Sequence, residues 1–198
     1  MLREKILMIK LEEGCMIHLE TDRLILRDYC ADDFDEYFRL MSDDKTMYYL
    51  PELKQTDIDS AKENFNEVLK DMERETREFC FLCMESKETH EIIGNVGYNV
   101  TGSTPEGKTV HLGYFSYPKF WGNGYMPEAV KRVLEFAFTE DNVYKVTTGC
   151  LTENVGSERV MQKNGMVKYA ELKDHELHDG KLKTRVEYRL LKDEWNTV

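Results

Sequence analysis

The first clear pattern of apolar and polar positions lies at residues 18–28, HLETDRLILRD, where Leu24 and Leu26 share one side of a strand-like alternation. The spacing then changes. Phe34, Tyr37, Phe38 and Met41 recur at helical intervals, and Asp32 and Asp33 place negative charge at the start of that helix. Past a turn around 42–44 and a loop holding Pro51, a second amphipathic helix is marked by Ile58, Ala61, Phe65, Val68, Leu69 and Met72. Strands are expected at 79–84 and, after the polar turn SKETHE, in IIGNVGYNV. The segment TGSTPEGKT reads as a loop and VHLGYFSY as a further strand, completing an antiparallel meander that Pro118 ends. Met126, Val130, Val133, Leu134 and Ala137 form the stripe of a third helix. After it come a strand, VYKVTTGCL, and a shorter helix over roughly 156–164, closed by Gly165. The chain finishes in a hairpin that turns at Asp179-Gly180, where Val186, Tyr188 and Leu190 alternate with Arg185, Glu187 and Arg189. No repeat, low-complexity segment or linker interrupts this order. One α+β domain over 16–198 is expected, with 1–15, ahead of a second methionine, as an accessory segment.

Composition narrows the function classes. A chain of 198 residues, 41% hydrophobic and 33% charged, has the size and balance of one globular domain. No apolar run is long enough to span a bilayer, and no small-residue cleavage site follows the N-terminal apolar patch, so a cytoplasmic protein without membrane or secretion signals is expected. The net charge of −11 argues against a nucleic-acid partner, which needs clustered Lys and Arg. It serves solubility first and is compatible with cationic substrates. Of the five cysteines, only Cys80 and Cys83 have metal-like spacing. They lie in a strand segment that points them to opposite faces, so buried free thiols are expected and no metal site.

The stretch PKFWGNGYMPEA brings in the chemistry. Two glycines precede a helix start, where backbone N–H groups are unpaired and the helix dipole is positive. Phosphates bind at such ends when no side chain blocks the amides. The same residues also suit a plain strand-to-helix turn. A dinucleotide-binding fold is set aside, because these glycines follow an antiparallel meander and not the first strand of a parallel unit. No nucleoside-triphosphate loop is present either.

The element order resembles the GNAT superfamily of acetyl-CoA-dependent N-acetyltransferases, in the branch that includes the ribosomal-protein N-terminal acetyltransferases. TDRLILR corresponds to the opening strand, HLGYFSYPKFWGNGYMPEA to the strand and pyrophosphate loop, and Asn154, Ser157 and Arg159 to an N-x-x-S-x-R segment before NGM. The likeness covers roughly residues 17–195. It implies a mixed central sheet with splayed strands and flanking helices, and acetyl-CoA as cosubstrate without a metal. The family loop pattern falls on Trp121, Gly122, Asn123, Gly124, Tyr125 and Met126, where Met126 departs from a small final residue. The resemblance further implies that the main chain of Phe115 and Ser116 pairs with the pantetheine arm and that Asn154 hydrogen-bonds it. Asparagine is equally a common helix cap.

Direct attack of a primary amine on the thioester is the implied reaction, and no Ser-His-Asp or Cys-His signature demands a covalent intermediate. His111 is the first candidate base, since it titrates near neutrality; it also reads as a surface histidine at a strand start. Glu85 and Glu91 are weaker candidates. The family's usual tyrosine on the short helix is Met161 here, so Ser157 is the candidate donor to the departing sulfur, with a helix cap as its other reading. Tyr48 and Tyr49 either line an acceptor pocket or pack, and Trp195 is expected over the hairpin. The acceptor is a protein N-terminus or a small amine. A non-catalytic acyl-CoA-binding module is the alternative, and a homodimer through edge strands is a further expectation.

Overall fold

A computed structural model describes residues 17–74 and 76–195. The accessory segment expected at 1–15 lies outside the described residues. The strand expected at 18–28 is two short strands, β1 (His18–Glu20) and β2 (Leu24–Arg27), because the Thr21 Oγ1 accepts the Leu24 N–H at 2.9 Å and turns the chain between them. Helices α1 (Phe34–Ser42) and α2 (Ile58–Met72) follow. Asp57 caps α2 by accepting the Ser60 N–H at 2.8 Å. Then come β3 (Phe79–Ser86), β4 (Ile92–Thr104) and β5 (Gly107–Ser116). The expected loop TGSTPEGKT is mostly strand. Its Thr and Ser residues pair across a tight hairpin, Gly102 with Thr109 and Thr104 with Gly107, after a bulge. Helix α3 (Tyr125–Thr139), β6 (Val143–Leu151), α4 (Val155–Lys163), β7 (Val167–His178), β8 (Lys181–Leu191) and a terminal turn of helix, α5 (Lys192–Trp195), complete the described chain.

These strands make one eight-stranded mixed sheet in the order β1-β2-β3-β4-β5-β6-β8-β7. Every neighbouring pair is antiparallel except β5 and β6, which run parallel. Alternation divides the apolar residues between two faces. One face meets α3 and α4 and holds the larger core, including Leu24, Leu26, Leu82, Val110, Leu112 and Val146 against Val130, Val133, Leu134 and Phe138. The other face meets α1 and α2 through Tyr29, Tyr37, Met41, Phe65 and Cys83. Cys80 packs in the first core and Cys83 in the second, on opposite faces as their spacing requires, and burial pushes both thiols up to about 12. Trp195 closes α5, which packs against β8 of the terminal hairpin and against β6. Its ring lies 6.0 Å from Phe138, at the C-terminal end of α3. Among the described residues no helix is long and apolar enough to cross a membrane.

Candidate active site

Strand β5 pairs with β6 only from Lys108 to His111, opposite Val143 to Thr147. Beyond His111 the two part: β6 continues along β8 to Leu151, while β5 runs on against β4. A wedge therefore opens in the middle of the sheet. The ladder sets which main-chain groups line it. Tyr117 N–H bonds the Ile93 carbonyl on β4 at 3.0 Å, so by strand alternation the Phe115 N–H and C=O also face β4. The groups facing the wedge belong to Tyr114 and Ser116. This corrects the main-chain role expected for Phe115, whose ring instead packs beside the α1–α2 core. The Ser116 carbonyl is occupied by the Trp121 indole N–H at 2.9 Å, which leaves its N–H toward the gap.

The glycine loop lies at the open end of the wedge. Gly122 and Gly124 adopt φ of 79° and 78°, in the left-handed region that favours glycine. A Cβ at Gly122 would meet no atom within 4 Å. Gly124 starts α3 without any side-chain cap. Glu128 N–H bonds the Gly124 carbonyl and Pro127 has no N–H, so the first-turn amides without an intrahelical partner are those of Tyr125 and Met126. The Met126 side chain packs on the large core, so the departure from a small residue leaves the loop unobstructed. Asn123 braces the loop from within, donating to the Phe120 and Trp121 carbonyls. Arg23, which the sequence did not single out, braces it from outside. It donates to the Asn123 carbonyl at 3.0 Å, pairs with Glu128 and lies 4.5 Å over the Tyr125 ring.

On the α4 side of the wedge, Asn154 caps the helix: its Oδ1 accepts the Ser157 N–H at 3.1 Å. The cap uses the oxygen and leaves Nδ2 as a donor. Ser157 meets Tyr114 across the wedge, with Oγ to Oη at 3.0 Å. Met161 is wholly buried in the core.

The opposite face carries the polar walls. His111 is the last β5 residue before the strands part, partly buried, with Nδ1 3.5 Å from Thr147 Oγ1. Burial and then the Arg185 charge hold its imidazole below the usual range, with Glu187 pulling the other way. Arg185 and Glu187 pair at 2.6 Å, and Arg185 also reaches Glu176 at 2.9 Å. The sequence showed them only as the charged positions alternating with Val186, Tyr188 and Leu190; the sheet turns them into the wall beside His111. Tyr48 and Tyr49 dock on the tip of the β7–β8 hairpin. Tyr48 donates to Asp179 at 2.5 Å, and the two rings pack on His178 at 4.9 and 5.7 Å. Glu85 is paired with Arg27 and His90, and Glu91 with Lys119. Among the described residues no cluster of three His, Cys, Asp or Glu has metal-binding geometry.

The sequence model of the family described as acetyltransferase (GNAT) domain matches residues 23–167, a span that holds the loop, the wedge and all of α4. The chain belongs to the GNAT acetyltransferase family. It is accordingly an acetyl-CoA-dependent acyltransferase. This GNAT protein is 28% identical over 177 residues to the uncharacterized N-acetyltransferase p20 of Bacillus licheniformis, covering 89% of this chain and 97% of that one. It is 29% identical over 191 residues to the uncharacterized N-acetyltransferase YnaD of Bacillus subtilis, covering 91% and 100%. Among solved structures, a ribosomal-protein-S5-alanine acetyltransferase from Vibrio fischeri superposes with a TM-score of 0.78 at 19% identity, covering 90% of this chain and 98% of that one. A spermidine N-acetyltransferase from Vibrio cholerae in complex with CoA and spermine gives 0.77 at 18%, covering 89% and 99%. At these identities the two structures speak for the fold. For the GNAT protein, the uncapped amides, the open Gly122 surface and the wedge suit an extended ligand with a diphosphate, which is the shape of acetyl-CoA.

Proposed function

We propose that this acyltransferase moves an acetyl group from acetyl-CoA to a primary amine by direct attack within a ternary complex. The observation that carries the reading is the parting of β5 from β6 at His111, with a glycine-lined helix start at the far end of the gap. The Gly122–Met126 loop holds the diphosphate through main-chain N–H groups, and the Tyr114 and Ser116 amides and Asn154 Nδ2 hold the pantetheine arm. A wedge amide donates to the thioester oxygen and stabilises the oxyanion as the amine adds. His111, neutral because its pKa is lowered, takes the proton that the attacking nitrogen loses, directly or through water. Ser157 donates a hydrogen bond to the sulfur as the carbon–sulfur bond breaks.

Two acceptor classes stand out. The branch likeness suggests a protein α-amine, and the polyamine acetyltransferase neighbour suggests a small cationic amine. Thiol release from acetyl-CoA is to be measured over a panel holding both peptides with free N-termini and polyamines. Turnover on at least one member is expected. Tight CoA binding, by calorimetry, without turnover on any amine would instead make the protein an acyl-CoA-binding module.

A further inference from the structure

Tyr114 is the one hydroxyl-bearing residue on β5 that reaches α4 across the wedge. Its Oη lies 3.0 Å from Ser157 Oγ and 3.0 Å from the Ser157 carbonyl oxygen. A phenol carries a single hydrogen, and a carbonyl oxygen can only accept. Two arrangements therefore fit the same heavy atoms. In one, Tyr114 donates to the carbonyl and Ser157 donates back to Tyr114. In the other, Tyr114 donates to Ser157 Oγ, and the serine hydrogen is released toward its remaining neighbours, among them the Cys150 sulfur. Rotation of two hydroxyl hydrogens interconverts them.

The frame around this pair is fixed. Asn154 Oδ1 holds the Ser157 N–H, and the Cys150 thiol lies 3.7 Å from the Asn154 carbonyl under the same turn. Tyr114 packs against the large core, while Ser157 keeps a partly exposed surface. Burial pushes the Tyr114 phenol well above its ordinary range, so a phenolate is disfavoured and the ring keeps its hydrogen. Tyr114 is thus suited to donate a hydrogen bond and unsuited to give up a proton.

We propose that Tyr114 is a positioning residue that, by donating to Ser157 Oγ, frees and strengthens the serine hydroxyl as a donor to the sulfur leaving the thioester. The inference rests on the acetyl-transfer reading above. In the step, the amine nitrogen bonds the carbonyl carbon, the carbon–sulfur bond breaks, and the electron pair stays on sulfur. Neither hydroxyl loses its proton. The proton shed by the nitrogen balances the one that the thiol finally carries. A donor whose own oxygen accepts a hydrogen bond is polarised and donates more strongly, which is why the pair exceeds a lone serine.

Bound CoA offers a test that needs no acceptor. Its thiol is to be titrated in the complex by thiolate absorbance, with Tyr114→Phe, Ser157→Ala and the double variant alongside. Each single change is expected to raise the bound thiol's pKa by about one pH unit, and the double no more than either. With an active amine, Tyr114→Phe is expected to lower kcat about tenfold with KM for acetyl-CoA changed less than about twofold. An unchanged titration in Tyr114→Phe, or a double variant equal to the sum of the singles, overturns the proposal. Should Tyr114→Phe fail to fold, 3-fluorotyrosine at this position keeps the shape and makes a stronger donor. It is expected to lower the thiol pKa further, and no movement or a rise overturns the idea. Absent turnover with a normal coupled titration overturns the enzymatic reading and with it the role at a leaving sulfur, whereas lost coupling in an active enzyme overturns this inference alone; no CoA binding sinks both.

Discussion

A base that works in its neutral form loses activity as protons bind it. Burial and Arg185 lower the His111 pKa, so its neutral form persists into mildly acidic solution. Activity is then present above the folded pKa and falls as pH drops through it, below the ordinary value of about 6.5. His111→Gln is expected to cut kcat/KM at neutral pH by about a hundredfold and to remove that acid limb. Glu187 raises the His111 pKa, so Glu187→Gln should move the limb to still lower pH. A limb that stays put in both variants would take His111 out of the reaction. At this scale the sequence was informative about residue type but not about company. It offered His111 and Ser157 as bare candidates, each with a second reading, while Arg23, Tyr114 and Glu187 carried no signal of their own. Tyr114 was one residue of the strand VHLGYFSY, and Glu187 one of the charged positions alternating with Val186, Tyr188 and Leu190.

Among the elements, the loop before α3 combines two demands that one pair of variants separates. Gly122 and Gly180 both sit at positive φ, 79° and 71°, and at both a Cβ would meet nothing within 4 Å. Alanine at either position carries a similar backbone strain, about 1–2 kcal/mol. Gly122→Ala and Gly180→Ala should therefore lower Tm by similar amounts. Only Gly122→Ala puts a methyl group in the proposed diphosphate site, so it alone should raise KM for acetyl-CoA, by about tenfold. Equal KM values would mean that the loop does not hold the diphosphate. Elements with strong periodicity, α2, α3 and β8, were legible in the sequence because each buries one regular stripe. The TGSTPEGKT segment was not. Its polar residues are those of a loop, and only pairing with its own partner strand makes it sheet.

In the whole molecule, the sheet separates two tasks. On the proposed reading the α3–α4 face and the wedge receive acetyl-CoA, while the α1–α2 face carries His111 and the polar wall of Arg185 and Glu187, and the two meet where β5 leaves β6. Ion pairs hold the α1–α2 layer to the sheet. Asp33 accepts from Arg27 at 2.7 and 2.9 Å and from the Cys30 N–H at 2.8 Å, and Arg27 also reaches Glu85 on β3. Burial works against the Asp33 charge, but these donors outweigh it and hold the carboxyl below its usual range. A carboxyl with a lowered folded pKa contributes stability above the unfolded value of about 3.9 and loses it as pH falls through the folded one. Asp33→Ala is expected to cost about 2 kcal/mol in denaturant unfolding at neutral pH, a difference that shrinks below about pH 4. A difference that is flat with pH would mean that the Asp33 charge contributes nothing to stability.

Local order was set by the sequence itself: the alternating and helical stripes, the Asp179-Gly180 turn and the two glycines ahead of α3 all follow from neighbours a few positions apart. Tertiary structure decided where β5 and β6 part, which main-chain amides face the gap, and that Tyr114 meets Ser157 while Glu187 stands by His111. These relations join residues far apart in the chain. They depend on strand order and register, which the periodicity of any one segment does not encode.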